Sequence, residues 1–83
     1  MTVRFHPHAV ERLAERGATE QEVIDTVQAG ESFPAKFGRT GFRRNFNFDS
    51  IWRDRRYAIK QVEAFAVREG QDWLVITVVT RYY

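Results

Sequence analysis

His8, Arg12 and Arg16 recur at i, i+4 and i+8 in the stretch Phe5-His6-Pro7-His8-Ala9-Val10-Glu11-Arg12-Leu13-Ala14-Glu15-Arg16-Gly17. On a helix this spacing stacks one imidazole and two guanidinium groups along a single face. Those groups are the tools of RNA phosphodiester chemistry. A neutral imidazole near its reference pKa of about 6.5 can take the proton of a ribose 2′-OH. A guanidinium can hold a phosphate bidentately and stabilise the charge that develops on it. His8 is therefore the candidate base or acid and Arg12 the candidate phosphate ligand. Each has a plainer reading: His8 as a cap or packing residue at a helix start, and Arg12 as a surface ion-pair partner of Glu11 or Glu15. Arg16 reads as structural, bonding carbonyls at the helix end.

Three further residues fit the same chemistry. Lys60 shares a strand face with Ala58, Val62, Ala64 and Ala66, where an ammonium must find water or a partner. It reads as a phosphate-binding lysine in a groove, or as an edge-strand lysine that blocks aggregation. Thr80 and Tyr82 share a face of the last strand; their hydroxyls can orient a phosphate and the ring can stack on a base. Threonine and tyrosine are also ordinary strand residues. Arg43, Arg44, Arg55 and Arg56 lie in a basic segment that would guide RNA. A metal site has only His6 and His8 behind it, with no third ligand nearby in sequence, and none is expected. No cofactor motif or glycine-rich phosphate loop is present. There is no cysteine, and the two serines, Ser32 and Ser50, have no nucleophile motif around them.

The elements that must position these groups follow from local signals. Helix 1 is expected over residues 7–16, with His6 at the N-cap, Pro7 at N1 and Gly17 as the left-handed terminator. Phe5 and Val10 are placed for a hydrophobic staple, and Val10, Leu13, Ala14 and Gly17 form the apolar stripe. Thr19-Glu20-Gln21-Glu22 is a capping box that starts a second helix, expected over 19–29 and burying Val23, Ile24 and Val27. Thr2 to Phe5 reads as a short extended start. Strands are expected around Phe42–Phe48 and Tyr57–Val67. Residues 73–81 should form a central strand, because apolar residues occupy both of its faces. Asp49 to Asp54 reads as a turn, although Ile51 and Trp52 could extend a strand. Together these predict one α+β domain over residues 1–83, with two N-terminal helices on a twisted antiparallel sheet of three to five strands. Core residues should include Val10, Leu13, Val23, Ile24, Val27, Leu74, Ile76 and Val78.

Composition sets the outer limits. Eighty-three residues with 7 Phe, 3 Tyr and 2 Trp can bury one small core. The absence of cysteine, of a signal peptide and of a long apolar run leads to the expectation of a cytoplasmic protein with no membrane partner. The net charge of +2 is unevenly spread: residues 1–31 balance at −3 and residues 32–83 at +5. Such a basic half attracts polyanions, or forms a solvated surface.

The motifs His8-Ala9-x-x-Arg12-x-x-x-Arg16-Gly17, Thr19-x-x-x-Val23, Tyr57-Ala58-Ile59-Lys60 and Val78-Val79-Thr80-x-Tyr82 resemble the bacterial family known as domain of unknown function 4258. The resemblance spans nearly the whole chain, except for the basic stretch from Arg39 to Arg56. It implies a fold of the barnase–EndoU–colicin–RelE type, whose relatives include metal-independent RNases and toxins of toxin–antitoxin systems. The expectation is then a toxin-like endoribonuclease cleaving by 2′-OH attack, with RNA and a cognate antitoxin protein as partners. In it His8, Arg12, Lys60, Thr80 and Tyr82 form the site. The alternative is a nonenzymatic nucleic-acid- or protein-binding module. Convergence of His8, Arg12 and Lys60 in one cleft separates the first reading from the second.

Overall fold

The computed structural model describes residues 2–83. Its elements are β1 (Val3–Phe5), α1 (Pro7–Arg16), α2 (Glu20–Ala29), β2 (Glu31–Pro34), β3 (Thr40–Trp52), β4 (Arg55–Glu69) and β5 (Asp72–Tyr82). The sheet order is β1-β5-β4-β3-β2. β1 pairs with β5 in parallel, and the other neighbours are antiparallel. This corrects the expected fold class, a RelE/barnase-like domain with two N-terminal helices on an antiparallel sheet. Strands make up 56% of the structure and helices 24%. The chain joins the sheet before the helices form, and the sheet is mixed. Two causes stand behind the difference. The extended start at Val3–Phe5 is a strand whose partner, Trp73–Val75, lies at the other end of the sequence. The segment 49–54, expected as a turn, is mostly strand, because β3 and β4 are joined by the two-residue turn Arg53-Asp54.

α1 is built by its ends. His6 Nδ1 accepts from the backbone N–H of His8 (3.1 Å), and Pro7 occupies the first helical position. At the other end Gly17 takes φ 71°, Gly17 N donates to Ala14 O and Ala18 N to Leu13 O. This is the paired bonding of a Schellman motif. The buried stripe of α1 is Ala9 and Leu13; Val10, expected in the core and in a staple, is 46% exposed. The small Ala9 side chain, fully buried, is what α1 presents towards the sheet, and that rotates Val10 outward. α2 carries both halves of its capping box: Glu22 N donates to Thr19 Oγ1 (3.1 Å) and Thr19 N to Glu22 Oε1 (3.0 Å).

Beneath the helices lie Phe42 of β3, Val62, Ala64 and Ala66 of β4, and Val75 and Val78 of β5, all buried. Val75 and Val78 point the same way although they are three apart, because the β4–β5 register shifts at Ile76. A bulge inserts one residue and reverses the alternation. The two apolar faces of β5 in the sequence are thus one face read through a bulge. Leu74, Ile76 and Ile24 are only partly buried. β5 is internal only where β1 covers it, at Trp73–Val75, and β4 is the middle strand. Among the described residues no helix is long and apolar enough to cross a membrane.

Candidate nucleic-acid interface

The C-terminus of α1 ends against β4, β5 and the β3–β4 turn, where its last carbonyls need donors. Thr80 Oγ1 and Tyr82 Oη each donate to Arg16 O at 2.7 Å. Lys60 Nζ donates to Gly17 O at 2.9 Å, and an Arg53 guanidinium nitrogen donates to Glu15 O at 3.0 Å. Lys60 is 6% exposed and also pairs with Glu22, 2.9 Å from each carboxylate oxygen. The Glu22 carboxylate therefore serves the α2 capping box and the lysine together. Lys60, Thr80 and Tyr82 do come together, but around a helix end rather than around an open anion site.

His8 and Arg12 lie elsewhere. His8 is exposed in the first turn of α1, and Gly17 lies nine residues further on, about 13 Å along the axis. Arg12 Nη1 pairs with Glu15 Oε2 at 2.8 Å. The geometry does not bring His8, Arg12 and Lys60 into one cleft.

The four guiding arginines also divide. Arg43 pairs with Glu31 at 2.9 Å and reaches the buried Glu63 at 3.9 Å; Arg81 approaches the same carboxylate at 3.4 Å. Arg56 pairs with Asp49 at 3.2 Å. Arg44 and Arg55 have no ion pair among the described residues. They sit over the rings of Phe46 (5.3 Å) and Tyr57 (5.6 Å). Arg43 and Arg44, as neighbours on β3, face opposite sides of the sheet.

An aromatic block at the β3–β4 hairpin end is not among the expected sites. Tyr82 is its hub. Trp52 stacks on it at 5.2 Å and 14°, and Phe48 (5.2 Å) and Tyr57 (5.5 Å) lean on its edges. Arg53 lies over the Trp52 ring at 5.1 Å. Gly17 makes the approach possible, since a Cβ there would sit 2.6 Å from both Trp52 and the Tyr82 hydroxyl. Glu15, Arg16, Trp52, Arg53, Thr80 and Tyr82 line a cleft of about 150 Å³. Burial, the largest influence, raises the Tyr82 phenol above its ordinary value, against a lowering by its hydrogen bond with Thr80. The phenol is thus a neutral donor. The signal for this cluster is Trp52-Arg53-x-Arg55-Arg56-Tyr57, aromatics interleaved with arginines, in a stretch whose charge and polarity read as a turn.

No protein-family model, curated protein or solved structure matches this chain.

Cations without an acidic partner distinguish this end of the molecule. Arg16, Arg53 and Arg55 have no acidic partner among the described residues, and they surround the half-exposed rings of Trp52, Tyr57 and Tyr82. Tyr83, 61% exposed, follows directly and is held by backbone bonds to Ile59.

Proposed function

We propose that the chain is a nonenzymatic binding module for single-stranded RNA, engaged through the β3–β4 hairpin end. The supporting observation is the company of Arg16, Arg53 and Arg55 with Trp52, Tyr57, Tyr82 and Tyr83. Arginines without acidic partners attract phosphates, and the exposed Tyr83 ring, beside the partly exposed block of Trp52, Tyr57 and Tyr82, offers stacking surface to an unpaired base without regard to sequence. The toxin-like endoribonuclease is the weaker reading. Its lysine, threonine and tyrosine are engaged by α1, its histidine stands about two and a half helical turns from them along α1, and Arg12 is paired with Glu15.

The test is fluorescence anisotropy with a labelled single-stranded RNA over a range of salt concentrations. Each phosphate neutralised contributes about −0.7 to the slope of log affinity against log salt. Arg16→Ala/Arg53→Ala/Arg55→Ala is expected to weaken binding at least tenfold and to flatten the slope, whereas His8→Ala leaves both unchanged. An affinity indifferent to salt or to the triple substitution overturns the proposal. RNA cleavage in EDTA that is lost in His8→Ala would restore the nuclease instead.

A further inference from the structure

On the sheet face opposite the helices, Phe33 of β2, Gly41 of β3 and Phe65 of β4 fall in one row across three strands. Gly41 shapes this row. A Cβ there would lie 2.2 Å from the Phe33 ring, so only glycine lets that ring lie flat across β3. Phe33 then meets Phe65 edge-on at 6.0 Å, and the Arg43 guanidinium covers it at 4.5 Å. With Pro34, Ala35 and the following turn, the two rings wall an apolar groove of about 370 Å³. That is within the size range of pockets that accept apolar groups.

The turn over this groove carries Phe37. It is 86% exposed and held at φ 62°. A bulky side chain rarely adopts this left-handed conformation, and here no burial offsets its strain. The groove also has a charged rim of one sign. Lys36 and Arg39 line it, no acid does, and neither cation has an acidic partner among the described residues. Arg39 lies 5.8 Å from the Phe37 ring centre.

We infer that this groove docks an acidic protein segment with an apolar or aromatic anchor. The anchor enters between Phe33, Phe65 and Phe37, and the carboxylates meet Lys36 and Arg39. A second copy of the chain is disfavoured, since it would set the same cations against each other. A concave groove with a single protruding ring suits one inserted side chain better than a lipid surface. The inference is independent of RNA binding: Gly41 and Trp52 are separated by roughly 35 Å of strand along β3.

The probe is a synthetic peptide with a Phe-Leu pair flanked by glutamates, titrated into the isotope-labelled chain and followed by amide NMR. Saturable shifts are expected at Phe33, Ala35, Phe37 and Phe65, with Trp52 and Arg55 unmoved. Phe37→Gly relieves the backbone strain, so it should raise Tm by about 4 °C while lowering affinity at least tenfold. Loss of binding in a more stable chain cannot be attributed to unfolding. Lys36→Glu/Arg39→Glu should lose the acidic peptide and gain its lysine-flanked analogue. No saturable shift, equal binding of both peptides by the native chain, a concentration-dependent dimer through this face, or binding of anionic vesicles in place of the peptide each overturns the inference. RNA binding that persists in Phe37→Gly keeps the two sites separable.

Discussion

At the scale of single residues, Tyr82 shows how one hydroxyl serves a fold. It donates to Arg16 O while its ring anchors Trp52. Burial raises its pKa, so the folded chain holds the phenolic proton more tightly than the unfolded chain does. Stability from this group is therefore complete below the ordinary value of 10.0 and is lost as pH climbs through the folded value. In urea unfolding at neutral pH, Tyr82→Phe should cost about 1 kcal/mol, a typical net hydrogen bond. Its stability should then decline less steeply than that of the native chain above pH 10. A parallel decline in the two proteins would show that Tyr82 is not the group responsible. Lys60 teaches the complementary lesson. From the sequence, a lysine amid alanines and valine had to have a partner or reach water, and that much was legible. The partners are Gly17 O, which exists only once α1 ends where it does, and Glu22, at the start of α2. No local pattern could name them.

At the scale of elements, what could be read was what is encoded within a few residues. The caps of α1 and α2 are local bonds between side chain and backbone, and both helices lie where His6, Gly17 and the Thr19 capping box place them. The strand pairings were less legible. Partners of a three-residue strand are not encoded in that strand, and the bulge at Ile76 disguises one buried face as two. The β3–β4 turn is the most instructive element. Arg53 (φ 51°) and Asp54 (φ 69°) are both left-handed, the geometry of a two-residue primed turn, for which Asn-Gly is the favoured pair. Arg53 accepts that strain and in exchange caps Glu15 O and covers Trp52. Arg53→Asn/Asp54→Gly should therefore raise stability in urea by up to about 1 kcal/mol and weaken RNA binding severalfold. A variant that is less stable than the native chain would mean that the Arg53 cap outweighs the turn strain.

At the scale of the whole molecule, the chain is a 40 Å long body with different chemistry at its two ends. Stacked aromatics and arginines occupy the hairpin end, and the apolar groove with its cationic rim lies near the other end of β3 and on the opposite sheet face. β4, the middle strand, runs through both. It supplies Lys60 and Tyr57 to one and Phe65 to the other. The two proposed sites therefore share no surface, so an RNA at one would not compete with a protein segment at the other.

The pairing of β1 with β5 also bears on how the protein comes into being. Val3–Phe5 hydrogen-bonds alongside Trp73–Val75, and α1, the first helix made, is capped by Thr80 and Tyr82. A ribosome delivers the chain from its N-terminus, so Glu15 O and Gly17 O can meet Arg53 and Lys60 first, while Arg16 O waits for the end of β5 before it finds its donors. Domain folding on the ribosome usually proceeds as soon as a unit has emerged; here the unit is everything up to Tyr82. Nascent chains stalled before Thr80 should be digested rapidly by protease, whereas chains extended by a linker long enough to expose Tyr82 should resist. Protection appearing well before Thr80 has emerged would show that the helix end closes by some other means. Closure of the α1 end is then timed by the arrival of two hydroxyl groups, those of Thr80 and Tyr82.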